Sequence, residues 1–252
     1  MRIKNITIDK IYNLIANHIL VYPKNGFTRF GTDKFIKYVA TQTKNNDHIL
    51  DAGAGNKPYY NLFKHSLYES CDSEQVLDQT GSLGGVKVDH TFYCDLINIP
   101  RSDHYYDKII CSQVLEHVKR PRDVVEEFYR VLKPGGKLYI TVPSIMGIHQ
   151  APHNYYNFLK YGLEEILTNV GFVNIFIETQ GGIFLVLGKV IHKSYEILRL
   201  NFSVFFKIIF LPIHILCSVI VFVLSFILFH IDFLDKNKDW TLTYNCMCEK
   251  DF

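Results

Sequence analysis

Acidic residues spaced around two glycines are the first candidates for chemistry in this chain. Asp51 to Tyr59 read DAGAGNKPY, directly behind the apolar pair Ile49-Leu50. Glycines at 53 and 55 let a backbone approach a ligand without interference from Cβ. A carboxylate ahead of such a turn suits the mouth of a nucleotide-cofactor pocket; a plain tight turn is the alternative. Asp72 stands about twenty residues further on, where a carboxylate can accept ribose hydroxyl protons. Asp95 ends a third apolar run, where a carboxylate can take the exocyclic amine of an adenine. The dinucleotide fingerprint needs a third glycine for close helix approach to a pyrophosphate. Here Gly55 is followed by Asn56, Lys57 and Pro58, which weakens the nicotinamide reading.

A second set of residues can move protons. His117 lies in LEHV, and His149 and His153 lie in IHQAPHNYYNF. Tyr155, Tyr156 and Phe158 in that loop can stack on a sugar or a ring. The alternatives are a structural His117 bonded to a backbone group and a 149–158 loop that packs as a lid. The six cysteines form no four-ligand zinc pattern, so no metal site is expected. They read as reduced, structural thiols of a cytoplasmic protein.

The elements that must position these groups follow from periodicity. Apolar spacing near 3.6 predicts a helix over 6–22, and a second over 32–43 with Thr32 as its cap. Short apolar runs then alternate with helical stretches. Strands are expected at 48–50, 67–71, 91–94, 107–111, 137–142, 172–178 and 242–248, with helices at 121–132 and 160–170. Such alternation gives a parallel sheet with helices on both faces, and ligands at the carboxyl ends of its strands. The chain has 252 residues, 48% hydrophobic and 21% charged, enough for a packed core. A net charge of +2 provides no global electrostatic case for nucleic acid.

The stretch YDKIICSQVLEHVKRPRDVVEEFYRVLKPGGKLYITVPS, with ILDAGAG and CDL before it, resembles the class I S-adenosylmethionine-dependent methyltransferases, more narrowly the type 11 domain. The resemblance covers about 46–180 plus the last strand. It implies a Rossmann-like, doubly wound α/β fold with a mostly parallel seven-stranded sheet. It also implies S-adenosyl-L-methionine as cofactor. Asp51, Gly53 and Gly55 would line the methionine portion and Asp72 would hold the ribose, with Glu69 as its fallback. Asp95 and Leu96 would flank the adenine, and Ser112 and Gln113 would face the cofactor. His117, His149 and His153 would be the candidate bases. The alternative is a membrane-tethered binding module with the same fold and no catalysis.

Ile208 to Phe229 read IIFLPIHILCSVIVFVLSFILF, without a charged residue, behind a basic flank of Lys189, Lys193, Arg199 and Lys207. By length and charge this segment can enter a membrane, with the flank cytoplasmic. A single crossing would strand the last sheet strand on the far side. A hairpin with arms at about 183–211 and 213–234 avoids this and would be a monotopic element. An oligomer interface and a buried helical pair are the alternatives. The expected organisation is N-terminal helices over 1–45, a core over 46–180, an apolar helical insertion over 181–240, and a last strand with tail over 241–252. The expected acceptor is a small molecule, a sugar or a lipid-linked group met at the inner membrane face. The loop at 149 and the QGGIF turn resemble methyltransferases of bacterial surface-polysaccharide pathways.

Overall fold

A computed structural model of the chain describes residues 26–73, 88–201 and 211–252. The helix predicted over 6–22 and most of the connection after Asp72 lie outside them. The described residues form two compact units, one within 32–180 with 242–252 and one within 181–241 with 26–31.

The larger unit is a seven-stranded sheet. Its strands are β1 (His48–Ala52), β2 (Leu67–Asp72), β3 (Phe92–Tyr93), β4 (Tyr106–Ser112), β5 (Leu132–Pro143), β6 (Phe172–Gln180) and β7 (Thr243–Lys250), in the order β3-β2-β1-β4-β5-β7-β6. The pairs from β3 to β5 are parallel, and β7 runs antiparallel to both β5 and β6. The sheet is a Rossmann-like α/β sheet, mostly parallel, with an apolar helix before its last strand.

Both faces of the central strands are covered, so their residues alternate between two cores. Leu50, Ile109, Leu138 and Ile140 point into one core with Val124, Val125 and Phe128 of helix α2 (Pro121–Val131) and Leu163 and Leu167 of α3 (Lys160–Val170). Ile49, Ile110 and Tyr139 point into the other with Phe35, Ile36 and Val39 of α1 (Gly26–Thr41). This burial on both sides is why the strand sequences read as runs of apolar residues. Gly171 ends α3 in the left-handed conformation at φ 108°, as a C-terminal glycine cap does.

One expectation is corrected at α1. The helix begins at Gly26, so Thr32 lies inside it and is buried rather than capping its start. A threonine at a predicted start is a weak stop signal once the preceding residues also pack as helix.

The smaller unit contains α4 (Ile183–Asn201) and α5 (Leu211–Ile231), packed antiparallel. The buried Asp232 carboxylate accepts the N–H groups of Gly182 and Leu185, at 2.8–3.0 Å, and so caps the start of α4. At the other end Ser218 Oγ donates to Tyr195 Oη, which donates to the His214 carbonyl. An 18-residue window within Pro212–Leu234 has a mean hydropathy of 2.6, with only 11% of it buried. Ile213, Leu216, Ile220, Val223 and Ile227 of α5 are all exposed.

Candidate functional site

The acidic and glycine residues meet at the carboxyl ends of β1 and β2. Parallel pairing sets Asp51 beside Ser70 and Ala52 beside Cys71. The N–H groups of Gly53 and Ala54 both donate to the Cys71 carbonyl, at 2.9 and 3.0 Å, which ties the turn to the end of β2. Gly53 sits at φ 72° and Gly55 at φ 52°, where a side chain is strained. A Cβ on Gly53 would also lie 2.5 Å from Val114 Cγ2. The chain leaving β4 therefore rests on the glycine turn, and only a residue without Cβ permits that approach.

Two carboxylates flank the turn. Asp51 is 2% exposed, and its Oδ2 accepts the Tyr68 hydroxyl at 2.6 Å. Burial pushes the Asp51 carboxyl up to about 6, against the opposing effect of the Tyr68 hydrogen bond and with help from the Asp72 charge. Asp72 is buried too; its Oδ2 accepts the Gly55 N–H at 2.8 Å and its Oδ1 that of Ser73. Glu69, the fallback for Asp72, is committed elsewhere. It forms a two-pronged ion pair with Arg101, at 2.9 and 3.0 Å, and accepts the Tyr106 hydroxyl. Asp72 is thus the carboxylate at the turn.

Asp95 lies exposed just past β3, where its Oδ1 accepts the Ile97 N–H, and the neighbouring Leu96 is buried. Ser112 ends β4 against β5, and Gln113 follows it. Ser112 Oγ is 2.9 Å from Thr141 Oγ1, and Gln113 Nε2 donates to the same hydroxyl oxygen. Gln113 adopts φ 58° and is held there by its N–H on the Thr141 carbonyl. Such a conformation costs a residue with a Cβ about 1–2 kcal/mol, and strain of this kind concentrates at functional sites.

The three candidate histidines come together beyond β4 and β5. The rings of His117 and His149 meet edge to face, with centroids 4.8 Å apart. His153 takes part through its backbone: its carbonyl oxygen lies 2.5 Å from His117 Nδ1, while its own Nδ1 is 3.4 Å from the Tyr155 hydroxyl. The bond to a backbone group that the structural reading of His117 expects is thus present. A carbonyl can only accept, so Nδ1 carries the proton and Nε2 of the neutral ring keeps its lone pair. Burial holds the His117 pKa below the usual histidine range.

Sequence reasoning passed over Tyr68 and Glu116. Glu116 is 0% exposed, neither of its carboxylate oxygens has a hydrogen-bond partner among the described residues, and burial raises its pKa to about 8. Its Oε1 lies 3.8 Å from His117 Nε2. The only trace in the sequence was its place in LEHV; its isolation is a tertiary property.

Comparison with known proteins agrees with this architecture. Residues 50–140 match the family model described as "Methyltransferase domain". The chain is 30% identical over 138 residues to a tRNA (carboxymethyluridine(34)-5-O)-methyltransferase of Arabidopsis thaliana, covering 54% of this chain and 32% of that protein. It is 29% identical over 116 residues to a ubiquinone biosynthesis O-methyltransferase of Coxiella burnetii, covering 42% and 48% respectively. The chain thus spans less than half the length of either relative. Among solved structures, a SAM dependent methyltransferase from Archaeoglobus fulgidus superposes with a TM-score of 0.56 at 15% identity, covering 90% of this chain and 97% of that one. This last likeness is one of fold.

Proposed function

We propose that this chain is an S-adenosylmethionine-dependent methyltransferase. It transfers a methyl group to a hydroxyl on a small-molecule, sugar or lipid-linked acceptor, at the cytoplasmic face of a membrane. The observation that carries the reading is the pair of buried carboxylates, Asp51 and Asp72, at the Gly53–Gly55 turn of a sheet whose 50–140 segment matches a methyltransferase domain. The Gly55 N–H is already taken by Asp72. A turn edged by carboxylates repels a pyrophosphate and attracts an ammonium, a sulfonium and ribose hydroxyls.

In this reading Asp51, Gly53 and Gly55 line the methionine portion and Asp72 accepts from the ribose. Asp95 and Leu96 flank the adenine, and Ser112 and Gln113 close the pocket from β4. The cofactor, when bound, supplies the activated methyl. The protein aligns the acceptor oxygen with it and excludes water. The oxygen bonds to the methyl carbon as the carbon–sulfur bond breaks, giving a methyl ether and S-adenosylhomocysteine. The hydroxyl proton leaves toward the cluster of His117 and His149 over Glu116, a typical role for imidazole and carboxylate. His153 holds His117 in the required tautomer through its carbonyl.

The hairpin at 183–234 supports the membrane assignment. The exposed side of helix α5 is mostly apolar and its buried residues are the polar His214 and Ser225, the reverse of a surface helix that buries an apolar face. Lys236, Lys238 and Trp240 follow it, the residue types that sit at a membrane interface. A surface-polysaccharide precursor carried on a lipid is one acceptor class that such an anchor would meet.

Incubating the full chain with methyl-labelled cofactor and membrane lipid and glycan extracts tests the reading. Label should appear in an extractable product. Cofactor binding without transfer to any extract would instead make the chain a binding module.

A further inference from the structure

We propose that Glu116, His117 and His149 form a binding site for one divalent transition-metal ion. Their ligand atoms all lie within 4.8 Å of one another. Glu116 and His117 come from the single turn after β4 (Leu115–His117), and His149 from the loop after β5. Zinc spacing rules look for separated pairs of cysteine and histidine, so they do not find an adjacent Glu-His pair joined by a distant histidine.

Three features point to a cation rather than to an incidental cluster. The Glu116 carboxylate is completely buried, with no hydrogen bond to either oxygen among the described residues. A buried carboxylate without hydrogen bonds is costly, and a bound cation is one of the few things that offsets the cost. Each histidine is also oriented through its other nitrogen. His117 Nδ1 faces the His153 carbonyl at 2.5 Å, and His149 Nδ1 faces the Gly147 carbonyl at 3.1 Å. Both rings therefore hold their Nδ1 proton on a carbonyl and leave Nε2 with a lone pair. That is the arrangement by which metal-binding histidines are held. The donor set is two imidazoles and one carboxylate, which suits Zn²⁺, Fe²⁺ or Co²⁺ and leaves coordination positions open.

Bonds of about 2.1 Å in tetrahedral geometry place ligand atoms about 3.4 Å apart. The Glu116–His117 separation of 3.8 Å is already close to this. His149, on a loop, is the ligand that closes in. An open position on the ion would take the acceptor hydroxyl and lower its pKa, and with the ion on both Nε2 atoms the proton would leave to solvent rather than to His117 or His149. That use rests on the methyl-transfer reading; the metal site itself does not.

The experiment titrates Co²⁺ into the full chain, with visible absorption as readout, and Zn²⁺ in competition. One saturable site per chain is expected, with d–d bands of low-coordinate Co²⁺ that Zn²⁺ abolishes. Glu116→Gln and His149→Ala should each weaken binding by about tenfold or more. Circular dichroism and retained S-adenosylhomocysteine binding establish that the variants are folded. Two results would overturn the site: no saturable binding by the folded chain, or affinity unchanged in both variants. The second would point to Glu116 and His117 as an acid–base pair without metal. Metal binding without any S-adenosylhomocysteine binding would leave the site standing and remove the methyl-transfer reading.

Discussion

Replacing Asp51 with asparagine should weaken S-adenosylhomocysteine binding at pH 7 by at least about tenfold while raising the stability of the folded chain. The two effects have one origin. Asp51 is fully buried, and burial lifts its pKa to about 6 from the usual 3.8. At pH 7 it is ionised in a place that disfavours the charge. The native state binds this proton more tightly than the unfolded state, so this group's contribution to stability is greatest below the unfolded pKa. It is lost as pH rises through about 6. The difference amounts to an order-of-magnitude cost of up to about 3 kcal/mol at pH 7. Asparagine removes that cost and keeps an oxygen for the Tyr68 hydroxyl. It also removes the charge that would meet the ligand's ammonium, and a charge-assisted hydrogen bond is worth about 1.5–3 kcal/mol, or roughly tenfold or more in affinity. Denaturant unfolding should show a gain at pH 7 that shrinks toward zero near pH 4. Calorimetry should show wild-type affinity falling below about pH 6, with that dependence absent in the variant. A variant that binds as wild type does at pH 7 would place the ligand elsewhere.

The second large effect concerns the hairpin. Ile220 and Val223 lie on one side of α5, 55% and 47% exposed, so changing them removes little packing. A lysine at the centre of a membrane-embedded helix costs about 2.5–3.5 kcal/mol. The pair Ile220→Lys and Val223→Lys should therefore shift partitioning by about three orders of magnitude or more. In vesicle flotation the wild-type chain should rise with the lipid, and the double variant should stay below with an unchanged circular dichroism spectrum. A wild-type chain that does not float would refute the membrane role. If it is instead a detergent-free oligomer that the two lysines make monomeric, the apolar face is a protein interface.

Much of this arrangement was legible in the sequence because the sheet is buried on both faces. Ile49-Leu50 and Ile109-Ile110 are apolar in sequence since each pair faces two cores, and the aspartates that end the runs mark the carboxyl edge of the sheet. The dispositions of Asp51, Gly53, Gly55 and Asp72 around one turn followed from that edge. What stayed hidden depended on contacts between distant segments. Glu69 stood as the fallback for Asp72, and nothing local shows that Arg101 and Tyr106 occupy it. Val114 gave no sign that it presses on Gly53. Glu116 looked like any polar residue at a helical start, because nothing local tells that its carboxylate is buried without a partner.

The central claim is that the turn at Asp51 holds S-adenosylmethionine. A calorimetric titration of S-adenosylhomocysteine into the folded, full-length chain tests it most directly. Saturable binding at one site per chain, diminished by Asp51→Asn, is the expected result. A folded chain that releases no binding heat and shows no ligand-induced rise in melting temperature would contradict it.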